Sequence, residues 1–174
     1  MSITRSLAYL ALVATLGCAF GVGSAAPSLA ANSANAKVCR LMPTADVERV
    51  LGKKATKVYG SDNAAVSICT AVFGGGTAAT VEYAQVQYAK PGSPGLPPDV
   101  QTMLKLPRRM KANGENVVVQ QFGNVGCYSL KVKTVLSATC GDPSGYITMI
   151  VGRVGSMVPF DTVRKLLATA KSKI

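Results

Sequence analysis

The placement of the cysteines constrains this chain more than any other feature. There are five, and Cys18 stands apart from Cys39, Cys69, Cys127 and Cys140 in a stretch that reads as a removable leader. Arg5 supplies one positive charge, residues 7–22 are almost wholly apolar, and Ser28-Leu29-Ala30 is a small-x-small site followed by Ala31. Basic start, apolar middle and small-residue cleavage site follow each other in the order of a secretory signal peptide. Cleavage after Ala30 removes Cys18 and leaves an even set of four cysteines, suited to disulfides in an oxidising compartment. The expected organisation is a signal peptide over 1–30, a flexible leader over 31–37 and a single domain over 38–174.

Two other readings of the leader compete with export by cleavage. A membrane anchor wants about 20 apolar residues without a processing site, and here the apolar run is slightly short and meets Ser, Ala and Pro at once. Leu16-Gly17-Cys18 resembles the end of a lipobox. Thr15, however, stands where an aliphatic residue is usual, and apolar residues continue well past Cys18. A periplasmic or secreted protein is therefore expected ahead of a lipoprotein attached through Cys18.

Charge speaks to partners, not to fold. The chain carries 19 Lys and Arg against 8 Asp and Glu, a net charge of +11, of which Arg5 leaves with the leader. Outside the cytoplasm the available polyanions are envelope components such as lipid head groups and polysaccharides, and nucleic acid is not an expected partner. With 48% hydrophobic residues and no Trp, the exported part reads as a globular domain, long enough to bury roughly two-thirds of its unfolded surface.

Hydrophobic spacing gives a helix after Thr44, which can cap it, with Val47, Val50 and Leu51 on one face and Gly52 at its end. Strand-like stretches follow over 55–59, 65–73 and 78–88, with Gly74-Gly75-Gly76 as a turn. A Pro/Gly/Ser-rich crossing over 91–98 leads to a second helix over about 98–106, which Pro107 is expected to end. Four more strands fall at 116–122, 127–133, 136–140 and 146–154. A last helix, with Asp161 as its cap, places Val163, Leu166, Leu167, Ala170 and Ile174 on one face. Strands grouped between helices, without regular strand–helix alternation, predict an α+β fold: a twisted antiparallel sheet with helices packed on one face. The two halves echo each other loosely, each holding two cysteines.

Four cysteines allow three connectivities, and spacing alone does not decide among them. Cys39–Cys69 with Cys127–Cys140 is the favoured set. Cys127 and Cys140 lie on neighbouring strands of a hairpin turning near Lys133-Thr134, where opposed positions can meet disulfide geometry. Redox catalysis and a four-thiolate zinc site both lack a close cysteine pair.

Histidine is absent altogether, which removes His-activated nucleophiles and imidazole metal ligation. The eight carboxylates are dispersed. Glu82 is the one weighed as a catalytic acid, against the plainer expectation of a strand residue facing solvent. The triglycine lacks the Lys-Ser/Thr of a phosphate loop, and Met103, Met110, Met149 and Met157 read as packing residues. No catalytic residue, metal or cofactor is expected. One cluster carries a binding hypothesis: Lys105, Arg108, Arg109 and Lys111 crowd the exit of the second helix, on a segment that Pro107 would hold out of helix. Arg and Lys so grouped suit phosphate or carboxylate. Lys53, Lys54 and Lys57 form a weaker, solvated group.

Residues 39–48, Cys-Arg-Leu-Met-Pro-Thr-Ala-Asp-Val-Glu, run to Leu51-Gly52, and Cys69-Thr70 follows in a strand. This resembles the opening of a family of small exported bacterial domains of unknown function, often lipoproteins, which begin Cys-x-Leu-x-Thr-x-x-Glu-Val and reach Leu-Gly. The ending, Pro-Phe-Asp and an amphipathic helix, is also similar. The family's motif glutamate falls at Asp46, and the lipobox departs as described. The resemblance covers about half of the expected domain. It implies an α+β sheet-and-helix fold, an envelope setting and pairing of the first two motif cysteines, and it brings no catalytic residues. The expected function is a non-enzymatic exported domain with a basic surface. Its partner would be an anionic envelope component. An accessory subunit or inhibitor docking on another envelope protein is the alternative, and a His-independent hydrolase comes third.

Overall fold

A computed structural model describes residues 36–62, 65–74, 81–93 and 96–174. The leader 1–30 with Cys18, residues 31–35 and the Gly75-Gly76 part of the turn lie outside the described residues. A short 3-10 helix, Lys37–Leu41, precedes α1 (Thr44–Leu51), which ends on Gly52 in the left-handed conformation. Three strands follow, β1 (Ala55–Asp62), β2 (Val66–Phe73) and β3 (Glu82–Ala89), then α2 (Val100–Ala112). The second half contributes β4 (Val119–Phe122), β5 (Val125–Val132), β6 (Val135–Asp142), β7 (Ile147–Val154) and α3 (Phe160–Lys171).

The strands form one antiparallel sheet of seven, in the order β1-β2-β3-β7-β6-β5-β4. Hairpin partners are neighbours throughout, and the junction of the two halves is the pair β3–β7. The α+β architecture and both favoured disulfides are present: Cys39–Cys69 and Cys127–Cys140.

Register fixes which face each residue takes, because paired residues across strands point the same way. Gly60, Cys69, Val86, Met149, Cys140 and Cys127 form one continuous row across six strands. Both disulfides lie on that face, and the 3-10 helix, α1 and α3 cover it. The core fills the gap, with Val47, Phe73, Ile147, Val158 and Val163 fully buried. α3 delivers four residues of the predicted stripe, burying Val163, Leu166, Leu167 and Ala170, whereas Ile174 lies past the end of the helix and is exposed.

Several expectations require correction. α2 packs on the opposite face from the other helices. A Cβ on Gly126 would come within 2.9 Å of Val100, and one on Gly141 within 2.7 Å of Met103. Both glycines neighbour the bridged cysteines and therefore point the other way. Paired with each other, Gly126 and Gly141 make a floor low enough for a helix. α2 also runs through Pro107 to Ala112. A proline here removes one helical hydrogen bond, but Pro107, like Leu104, is buried on the sheet side, and that packing outweighs the lost bond. Caps differ as well: α1 and α3 start after Pro43 and Pro159, with Thr44 and Asp161 inside the first turn. β4 is shorter than expected and β1 longer.

Candidate anion-binding face on the second helix

Asp99 starts α2. Its carboxylate accepts the Thr102 backbone N–H at 2.7 Å, and that bond, ahead of all else, holds its pKa below the ordinary value. The helix dipole and the cap thus agree at this end. From there the polar side of α2 carries Gln101, Lys105, Arg108 and Arg109, all exposed. Because α2 continues past Pro107, these residues share one helical surface and do not sit on a loop, contrary to expectation. Lys105 and Arg109 are one turn apart, with Arg108 beside them.

Arg108 is oriented by two amides that sequence reading did not find. Its Nη1 donates to Gln101 Oε1 and its Nη2 to Gln121 Oε1 on β4. Gln101 Nε2 also donates to Gln121 Oε1 at 2.9 Å, and Gln121 Nε2 to the Gly123 carbonyl. The seven-residue spacing of Gln101 and Arg108 is a two-turn helical signal, hidden only by stopping the helix at Pro107. Lys105 and Arg109 have no carboxylate partner among the described residues. Gln101, Thr102, Lys105, Arg108 and Arg109 line an open depression of about 400 Å³. Lys111 is exposed but does not line it.

The weaker cluster behaves differently. A depression of about 450 Å³ is lined by Glu48, Arg49, Lys53 and Lys54 among others, and its cations are neutralised. Lys54 meets Glu48 at 2.6 Å, Arg49 meets Asp46 at 3.0 Å, and Lys53 meets Glu82 at 2.9 Å. The Lys54 hydrogen bond, helped by the Ala55 N–H, holds Glu48 below its usual pKa. Lys57 lies over the Tyr59 ring.

Glu82 does not face solvent. It is 5% exposed, on the covered side of the sheet, held by Lys53 and by the Val154 N–H. The end of β7 and the Lys53 that follows α1 meet at this carboxylate, which ties both to the start of β3. The four cysteines of the domain are consumed by the two bridges. Among the described residues no three His, Cys, Asp or Glu side chains gather to hold a metal ion, and no helix is long and apolar enough to cross a membrane. Met149 is fully buried and Met103 packs on Gly141, as packing residues do.

No protein-family model, curated protein or solved structure matches the chain.

Proposed function

We propose that this protein is an exported, non-enzymatic domain of the cell envelope that binds an anionic surface component through the cationic side of α2. The observation that carries this reading is a contrast in charge. Asp46, Glu48, Glu82, Asp142 and Asp161 each hold a cation elsewhere on the molecule, while Lys105 and Arg109 face an open depression and form no ion pair among the described residues. Arg108, held by Gln101 and Gln121, presents its guanidinium there in a fixed direction, which favours the fork geometry of phosphate or carboxylate. Export is supported by the leader sequence, by two disulfides and by the likeness of residues 39–52 to exported bacterial domains.

The test is binding to phosphatidylglycerol vesicles, phosphatidylcholine vesicles and a soluble uronate polysaccharide. Lys105→Glu with Arg109→Glu is the informative variant, because neither residue supports a neighbour. Affinity for the anionic vesicles or the polysaccharide should fall at least tenfold, with the wild-type interaction weakening as salt rises. The two anionic probes separate a lipid head group from a glycan as the source of the charge. Binding that the double substitution leaves unchanged would refute the reading.

A further inference from the structure

Val132, at the end of β5, is 59% exposed, more than any other large hydrophobic residue described. It pairs with the buried Val135 across the β5–β6 turn, and Val135 pairs in turn with the exposed Val154 on β7. Val132 shares the parity of Gly126, and Val135 that of Gly141, so this row points to the side on which α2 lies. α2 runs beside β5 in the same direction. It starts over Gly126, and the chain that leaves it meets β5 again where Val118 pairs with Ser129. The C-terminal turns of α2 and the β5–β6 turn therefore belong to one end of the molecule. There α2 carries a bare side chain of its own: Leu106, 43% exposed, beside Lys105 and Arg109 on the helix surface.

Cations accompany both exposed apolar side chains. Lys133 stands at the apex of the turn with φ of 57°, a left-handed conformation that glycine takes without strain and lysine does not. Lys131 and Arg153 pair with Leu136 from either side, on the reverse face of the same strand ends. Lys111 follows Arg109 in the last turn of α2. None of these cations forms an ion pair among the described residues. Glu82, at the start of β3, is already held by Lys53, and Glu115 lies on the connection from α2 to β4.

We infer, resting on the reading of α2 above, that its anionic partner is a phospholipid bilayer and that Val132 and Leu106 enter the hydrocarbon boundary. An acidic glycan would satisfy the cations but leave both apolar side chains against hydroxyl groups and water. A lipid interface answers each at its own depth: phosphates meet the cations, and acyl chains just beneath meet the aliphatic groups. Lys133 at the apex is compatible with that depth, because a lysine stem lies in apolar surroundings while its ammonium reaches back to the phosphates. Shape agrees with this choice. A hairpin end is convex, and Val132, Lys133 and Val135 line neither of the two depressions. A fluid bilayer conforms to such a tip, whereas a folded protein must offer it a matching hollow. A second copy of this chain would bring like charges together.

The chain contains no Trp, so one introduced indole reports its own surroundings. Val132→Trp protein mixed with phosphatidylglycerol vesicles should show blue-shifted emission, quenched by lipids brominated on their acyl chains. Ile174→Trp, at an exposed position past the end of α3, should show neither change. In vesicle sedimentation Val132→Ser and Leu106→Ser should each weaken binding about fivefold, and Lys133→Gln about fivefold. Neither serine substitution should alter binding to the soluble uronate polysaccharide. All three side chains are exposed, so their replacement leaves the core intact. A bilayer is excluded, and the reading of α2 kept, if the Val132→Trp protein sediments with vesicles while its emission stays unshifted. The same follows if both indoles are quenched alike, if both serine variants bind vesicles as wild type, or if the polysaccharide binds and vesicles do not. Self-association, or capture of an acidic protein, that Val132→Ser abolishes in the absence of vesicle binding would also exclude it. If Lys105→Glu with Arg109→Glu leaves vesicle binding unchanged, the reading of α2 fails and the bilayer falls with it.

Discussion

Cys69 and Cys140 occupy matching places on either side of the sheet's central pair: Cys69 lies opposite Val86, Cys140 opposite Met149, and Val86 opposite Met149. Their bridges nevertheless differ in kind. The outer neighbour of Cys140 in this row is Cys127, and the disulfide closes between adjacent strands with Cα atoms 4.2 Å apart. The outer neighbour of Cys69 is Gly60, which has no side chain to offer. Cys69 reaches instead above the sheet to Cys39, and a Cβ on Gly60 would fall 2.9 Å from the Cys39 sulfur and 2.5 Å from Ala36 Cβ. A glycine on the edge strand is thus the seat on which the N-terminal segment is stapled down.

Gly60→Ala should therefore act at the bridge. Crowding of this kind costs about 1–3 kcal/mol when the neighbours must shift. Here the nearest neighbour is a methyl group and the next a bonded sulfur. The expected outcome is a lower midpoint in thermal unfolding, together with free Cys39 and Cys69 thiols appearing in a larger share of molecules by mass spectrometry after alkylation. A fully bridged variant with wild-type stability would show that the segment can seat itself elsewhere.

The two bridges should differ in worth. Their sequence separations are 30 and 13 residues. Constraint of the unfolded chain then gives about 3.6 kcal/mol for Cys39–Cys69 and about 2.9 kcal/mol for Cys127–Cys140. Pairwise Cys→Ala variants compared by chemical denaturation should preserve that order, with the longer loop costing more. The reverse order would mean that packing around the in-sheet bridge, not loop length, sets its contribution.

Acid sensitivity should localise to the C-terminal helix. Asp142 is buried, and burial alone would raise its pKa. Hydrogen bonds from Lys171 at 2.6 Å, from Ser144 and from the Gly145 N–H outweigh this and leave the carboxyl below its ordinary value of 3.8. A carboxyl depressed in the folded state stabilises it above the unfolded pKa and loses that contribution as pH falls through the folded one. Denaturation profiles of wild type and Asp142→Asn should differ at neutral pH and converge as pH drops from about 4 to about 2. Parallel profiles across that range would exclude the Lys171–Asp142 pair as the tie between α3 and the sheet.

Much of this architecture could be read from spacing. α3 buries Val163, Leu166, Leu167 and Ala170, which its helical period selects, and loses only Ile174, past the last turn; the hairpin placing Cys127 opposite Cys140 follows from strand length and a turn at Lys133, whose φ of 57° is left-handed. The failures have a common physical cause, which is that a local rule lost to a contact distant in sequence. Pro107 stops an isolated helix, yet here its ring is buried against a sheet that forms later in the chain. Stopping at Pro107 also separated Gln101 from Arg108 and hid the amides that orient the guanidinium. Glu82 was placed on the wrong face because strand parity turns on a single residue, and its partner Lys53 lies 29 positions earlier across a chain reversal. The side chosen by α2 depends on Gly126 and Gly141 being paired, which only the register reveals.

That glycine pair yields the last prediction. α2 rests directly on backbone: Val100 Cγ2 and Leu104 Cγ would lie 2.9 and 3.0 Å from a Cβ at Gly126. Gly126 itself is buried in mid-sheet, so an alanine there has no open side to turn toward, and the helix must lift. Overpacking of this sort costs about 1–3 kcal/mol. Lifting α2 also separates Arg108 and Gln101 from Gln121 on β4, because one end of that hydrogen-bond set is on the helix and the other on the strand. Gly126→Ala should therefore lose stability and, at temperatures where it is still folded, bind anionic vesicles more weakly although no cation has been removed. Gly155→Ala, at a turn where an added Cβ meets nothing but φ is +78°, provides the comparison: it should lose some stability through backbone strain and leave α2 seated. Equal loss of vesicle binding in both variants would trace the effect to general destabilisation and not to the seating of α2.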